Sequence, residues 1–175
     1  TAVAAFVLES GKEIPVLAGV SGLARRIGPL PLATMACTFA LIIVGAFVSQ
    51  MGAGLAYPDW PLFDGKLVSA GGKLADIHYA HRLVAAVASL LVAAWAWQVL
   101  ERDRRPAVVG AMSVLGVLFV SQVVIGAANV WLELATSVRI LHLALASAVW
   151  GVLVFAVAYR LLIPEEMVGA SSQDA

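Results

Sequence analysis

Charged positions along this chain are sparse and grouped, and the stretches between them are long. There are 32 uncharged residues between Arg26 and Asp59, 18 between Arg82 and Glu101, 27 between Arg105 and Glu133, and 20 between Arg139 and Arg160. A hydrocarbon core about 30 Å thick takes roughly 20 apolar residues at a rise of 1.5 Å each. The pattern therefore predicts four transmembrane helices, at about 30–50, 77–99, 107–130 and 138–161. Helices are expected because they satisfy their own backbone hydrogen bonds where lipid offers none. The expected fold class is all-α: an integral membrane four-helix bundle over residues 30–163, with a loop at 51–76. Residues 1–29 read as a cytoplasmic or interfacial segment, because Thr1–Leu8 is too short to span and the rest is rich in Gly and Pro without signal-peptide order. Residues 164–175 read as a flexible polar tail.

Basic residues suggest the orientation. Lys12, Arg25 and Arg26 precede the first helix, Arg102, Arg104 and Arg105 lie between the second and third, and Arg160 ends the fourth. Both termini are expected in the cytoplasm, with the loops at 51–76 and 131–137 facing outward. Composition agrees with a bilayer. Hydrophobic residues make up 62% and charged residues 13%, against roughly 45–50% and about 25% in soluble domains. One domain of 175 residues cannot hide that much apolar surface from water. A soluble enzyme and a disordered chain are thereby excluded, and the lack of a basic face excludes nucleic acid as a partner. The single cysteine, Cys37, cannot form an internal disulfide.

A weak internal repeat suggests two related helical hairpins. Val48-Ser49-Gln50, with Gly52 soon after, matches Val120-Ser121-Gln122 with Gly126, while His81 and His142 open the second and fourth helices. With Asp76 and Ser137 read as N-caps, both imidazoles fall five residues past a helix start, about 8 Å down the axis. His78 shares a face with His81. These are all the histidines in the chain. Polar side chains inside a bilayer usually face the bundle interior and mark function. Two imidazoles at equal depth on two helices can grip one metal, and haem iron accepts such axial ligands. Ala85, Ala86, Ala144, Ala148 and Gly151 leave room for a flat macrocycle, although they equally permit close helix packing.

Blander readings stand beside these. An interfacial histidine is often only a polar residue at the headgroup boundary. Arg82 and Arg139 either snorkel or pair with carboxylates such as haem propionates. Gln50 and Gln122 either line a site or hydrogen-bond across helices. Trp95, Trp97, Trp131 and Trp150 read as belt or packing residues. The loop string Gly52-Ala-Gly-Leu-Ala-Tyr-Pro-Asp-Trp-Pro-Leu-Phe-Asp-Gly65 specifies a fixed path. It is either a rigid connector or a lid in which Trp60 and Phe63 cap the bundle mouth.

That string, together with His81-Arg82, Gln122, Asn129-Val130-Trp131 and His142-Leu143-Ala144, resembles the haem A synthase family over about residues 40–155. Known members commonly have eight transmembrane helices in two four-helix halves. This chain resembles one half, like the compact four-helix forms. The resemblance implies a prokaryotic plasma-membrane oxidoreductase that oxidises a ring methyl of haem O to the formyl of haem A for terminal oxidases, with water as the oxygen source and electrons passing through a bound haem b. It implies His81 and His142 as axial ligands of haem iron. It also implies self-association, or association with a haem O synthase or a terminal oxidase.

Two departures from the family pattern bear on chemistry. Tyr57 and Phe63 occupy the positions of a common cysteine pair, and His78 stands where the substrate-handling half usually has glutamate. His78 is therefore the candidate catalytic residue, acting as a base, or else the chain binds haem without oxidising it. Two alternatives follow: a non-catalytic haem-binding or electron-transfer subunit, and a copper or zinc site on all three histidines.

Overall fold

The computed structural model describes residues 22–69, 71–103 and 105–163. The expected tail at 164–175, and all but 22–29 of the N-terminal segment, lie outside the described residues. Four long helices form: α1 (Pro29–Gln50), α2 (Lys73–Arg102), α3 (Pro106–Trp131) and α4 (Thr136–Leu162). A short 3-10 helix, Ala53–Leu55, follows α1. The single isolated bridge, Phe63 with Lys66, is the only β-type pairing among the described residues. All four helices are long and apolar enough to span a membrane. Only 11% to 22% of each apolar window is buried inside the bundle, so the outward-facing remainder requires lipid. The chain is a multi-pass membrane protein.

Helix boundaries have local causes. Pro29 and Pro106 open α1 and α3, where proline's fixed φ suits the first turn and its missing N–H costs nothing. Gly71 and Gly72, at φ 90° and 120°, break the chain before α2, so the helix starts at Lys73 rather than near 77. Asp76 is thus not the N-cap. It lies in the first turn, where a carboxylate meets the positive end of the helix dipole and accepts from Ser69 at 3.2 Å. Ser137 is likewise inside α4, which Ala135 precedes as the capping position. Glu133 and Leu134, at φ 49° and 60°, make the tight turn between α3 and α4.

The bundle is a ring. α1 packs on α2 and α3 on α4, while α2 meets α3 and α1 meets α4 more lightly. α2 and α4 are therefore diagonal, with no close backbone approach between them. The packed core fills only one end. Trp95 and Val99 of α2, Met112 and Leu115 of α3, and Leu153 of α4 are all at most 1% exposed. Trp95 is a packing residue, whereas Trp97 on the same helix is 67% exposed toward lipid.

Asp103 closes that end. Its carboxylate meets Arg105 at 2.5 Å and Arg160 at 3.6 Å, and Arg105 also donates to the carbonyls of Arg160 in α4 and of Ile163 just after it. Burial pushes the Asp103 carboxyl up, but the Arg105 side-chain and backbone hydrogen bonds outweigh it and hold it below the usual carboxylate range. A depressed folded value means the contribution is whole above the unfolded value near 3.9 and is lost as pH falls through the folded one. Asp103→Asn is expected to cost about 1–3 kcal/mol at neutral pH. Thermal denaturation in detergent checks this: the gap between wild type and variant should close only on acidification below about pH 4.

Candidate haem-binding site

Beyond the packed core the bundle changes character. His81 lies seven positions before the buried Ala88 on α2, and His142 seven before the buried Val149 on α4. Both imidazoles therefore lie about 10 Å past the core on diagonal helices. The equal depth expected from the helix starts does not hold as counted, since His81 is eight residues past Lys73 and His142 six past Thr136; counted from the first core residue of each helix, Ala88 and Val149, the offsets are equal.

A glycine on the partner helix of each hairpin makes room for each ring. A Cβ at Gly45 of α1 would lie 3.2 Å from His81 Cε1, and one at Gly126 of α3 would lie 3.3 Å from His142 Cε1. Any other residue would push the imidazole. This geometry corrects the register of the repeat. Gly45, not Gly52, is the counterpart of Gly126; Gly52 instead takes φ 65° in the turn after α1. In that register Gln122 pairs with Leu41, and Gln50 has no equivalent role. Gln50 ends α1 with an exposed side chain. The signal was in the sequence as a matched glycine in each hairpin, but one small residue among many does not stand out.

Gln122 contacts His142, amide Nε2 to ring Nε2 at 3.3 Å. An amide nitrogen only donates, so this ring nitrogen accepts. The Nδ1 atoms of His81 and His142 and the Oε1 of Gln122 are sealed without hydrogen-bond partners. Buried polar atoms are ordinarily satisfied, so this cluster is short of a partner. Two imidazoles on diagonal helices, each cradled by a glycine, with His142 Nε2 held only by the Gln122 amide, fit a metal-centred ligand between α2 and α4; Ala86, Ala144, Ala148 and Gly151, expected to leave a slot, lie on exposed faces instead.

Arg82 does something different from the carboxylate clamp considered above. It donates from Nη1 to Leu62 O at 2.8 Å, from Nη2 to Asp59 O at 2.9 Å, and from Nε to His78 Nε2 at 3.1 Å. Its guanidinium also lies 5.0 Å from the Phe63 ring centre and 6.0 Å from that of Tyr57. The loop is thereby latched to the residue next to His81. The Asp59 carboxylate accepts from the Asp64 and Gly65 N–H groups at 2.9 Å. The Gly65 bond is the main cause of its carboxyl lying below the usual range. Phe63 packs edge-on against Tyr57 and Tyr79, Tyr57 bonds Ser69, and Trp60 meets Trp131 edge-on at 5.9 Å. The loop is a lid over the histidine end. Arg139 is exposed.

His78 is buried beneath the lid, 5.9 Å from the Tyr57 ring centre. With its Nε2 engaged by Arg82, it does not join the other two histidines. Among the described residues no three His, Cys, Asp or Glu side chains converge on a metal-sized point. The three-histidine copper or zinc site is thereby set aside.

Comparison with known proteins adds an independent line. The model of a family described as cytochrome oxidase assembly protein matches residues 2–154. A haem A synthase of Symbiobacterium thermophilum is 34% identical over 140 residues, covering 77% of this chain and 44% of that protein. One of Rhodospirillum centenum is 32% identical, covering 65% and 35%. A protohaem IX farnesyltransferase of Haloarcula marismortui is 34% identical, covering 78% of this chain and 29% of its own length. The chain thus spans less than half the length of these curated relatives. No solved structure matches.

Proposed function

The chain belongs to the haem A synthase family of cytochrome oxidase assembly proteins, and on that premise we propose that it holds an iron porphyrin between His81 and His142 and takes part in oxidising a ring methyl of haem O to the formyl of haem A. The single observation that supports this most is the pair of imidazoles on diagonal helices, each fitted against a glycine of its partner helix. When bound, the iron of a haem b supplies a one-electron redox centre through which electrons from the oxidised methyl group leave.

The side chains have separate tasks in this reading. His81 and His142 would hold the iron. Gln122 holds the nitrogen of His142 that a metal would use, which keeps the ring oriented, and it must yield that nitrogen on binding. Gly45 and Gly126 set how far each ring stands from the bundle wall. Arg82 fixes the lid, so that Tyr57 and Phe63 exclude water from the porphyrin edge. The family resemblance implies a prokaryotic plasma membrane, and the distribution of Lys and Arg puts both termini in the cytoplasm and the lid outward. Partners implied by this reading are a second copy, a haem O synthase or a terminal oxidase. The relative named as a protohaem farnesyltransferase fits the same helical unit serving haem modification.

A second reading, a haem-binding electron-transfer or accessory subunit without catalysis, is favoured by His78 standing where glutamate is expected. Co-expression with a haem O source and extraction of the pigments separates the two. Haem A is expected only when the intact chain is present. Bound haem without any haem A would leave the accessory reading, and haem A formed equally without the chain would overturn the enzymatic one.

A further inference from the structure

His78 is 4% exposed, and its two ring nitrogens are in different situations. Nε2 accepts the Arg82 Nε–H at 3.1 Å. A guanidinium never accepts and is never deprotonated in a protein, so Nε2 must present its lone pair. The ring proton is therefore on Nδ1. That atom is sealed from solvent and has no hydrogen-bond partner.

Both routes to a base are closed by this arrangement. Nε2 has its lone pair committed to Arg82, and Nδ1 already holds a proton. What remains is one fixed, buried N–H donor beneath the lid, three residues from His81 on the same helix. A buried donor left unpaired is costly, and the lid residue packed on the His78 ring is Tyr57, whose ring centre lies 5.9 Å away.

We propose that His78 is a hydrogen-bond donor that recognises an oxygen on the periphery of the bound porphyrin, a formyl or hydroxymethyl oxygen or a propionate carboxylate. The proposal rests on the porphyrin reading above. Arg82 acts as a positioning residue here: it fixes the His78 tautomer with the same guanidinium that latches the lid. A glutamate at this position would present an acceptor at neutral pH, so this chain's site has the opposite hydrogen-bonding polarity.

Two variants isolate the donor. In His78→Gln the amide oxygen reaches the Nε2 position and still accepts from Arg82, while the donor at Nδ1 is gone. In His78→Asn the amide nitrogen replaces the Nδ1 donor, while the Arg82 bond is lost. Optical titration of the purified protein in detergent with haem O, haem A and the dimethyl ester of haem O gives the affinities. His78→Gln is expected to erase an approximately tenfold preference that the wild type shows and that His78→Asn retains.

If the recognised oxygen is the formyl, the lost preference is for haem A over haem O, and the formyl C=O stretch in resonance Raman rises in His78→Gln. If it is a propionate, the lost preference is for free acid over ester, and that stretch stays put. Either outcome supports the donor. Unchanged preferences in His78→Gln, with haem still bound, would overturn it and leave the porphyrin site standing. A wild type that binds none of the three porphyrins would overturn the porphyrin reading itself.

Discussion

Replacing either His81 or His142 with alanine is expected to abolish the sharp low-spin haem spectrum of the purified protein. An axial imidazole from each of two helices holds iron in a low-spin, six-coordinate state. Removing one leaves five-coordinate, high-spin iron and a broadened Soret band. Loss of groups that merely orient a metal ligand typically costs 10–100-fold in affinity, so loss of the ligand itself should cost more than about 100-fold. The fold should survive both changes. The core residues Trp95, Met112, Leu115 and Leu153 lie at the other end of the bundle, so each variant should still insert and migrate as the wild type does. The expected effects are alike because each ring is cradled by its own glycine. His78→Ala is expected to behave differently and keep the low-spin spectrum, because His78 is turned to the lid by Arg82.

The glycines give the second large effect, and it should be graded. At Gly45 and Gly126 an added Cβ would come within 3.2 and 3.3 Å of the facing imidazole carbon. A ring can yield by a few tenths of an ångström, so alanine is expected to lower haem content modestly and shift the spectrum toward mixed spin. Valine adds two further methyl groups and leaves no such relief. Gly45→Val and Gly126→Val are each expected to lower haem occupancy at least about tenfold. Haem-to-protein ratios from a pyridine haemochrome assay check the series. The same substitutions at Gly110 and Gly116, which nothing faces within 4 Å, should leave occupancy unchanged. Equal effects at all four glycines would show that helix propensity, not contact with the histidines, governs binding.

The four spans were legible because charge is excluded from hydrocarbon, and the uncharged runs mark the helices to within a few residues. Boundaries were less legible. Lys73 and Asp76 are charged and yet helical, since the end of a span reaches the interface where such groups are solvated. The repeat was visible as two hairpins, but its register was not. Which small residue faces a histidine depends on helix rotation, and Gly45 is as small as many lipid-facing neighbours. The fixed path of the loop was readable from Pro58, Pro61 and its glycines. The Arg82 latch was not, because its partners are the backbone carbonyls of Asp59 and Leu62, and every residue carries a carbonyl. The same holds for the tautomer of His78, which depends on a neighbour one helical turn away.

One measurement bears most directly on the pairing of His81 with His142 across an iron porphyrin: electron paramagnetic resonance of the oxidised protein, purified after expression with ample haem. A low-spin ferric signal that is absent from both His81→Ala and His142→Ala is the result this account predicts. Protein purified without haem, or a wild type whose iron is wholly high-spin, would contradict it.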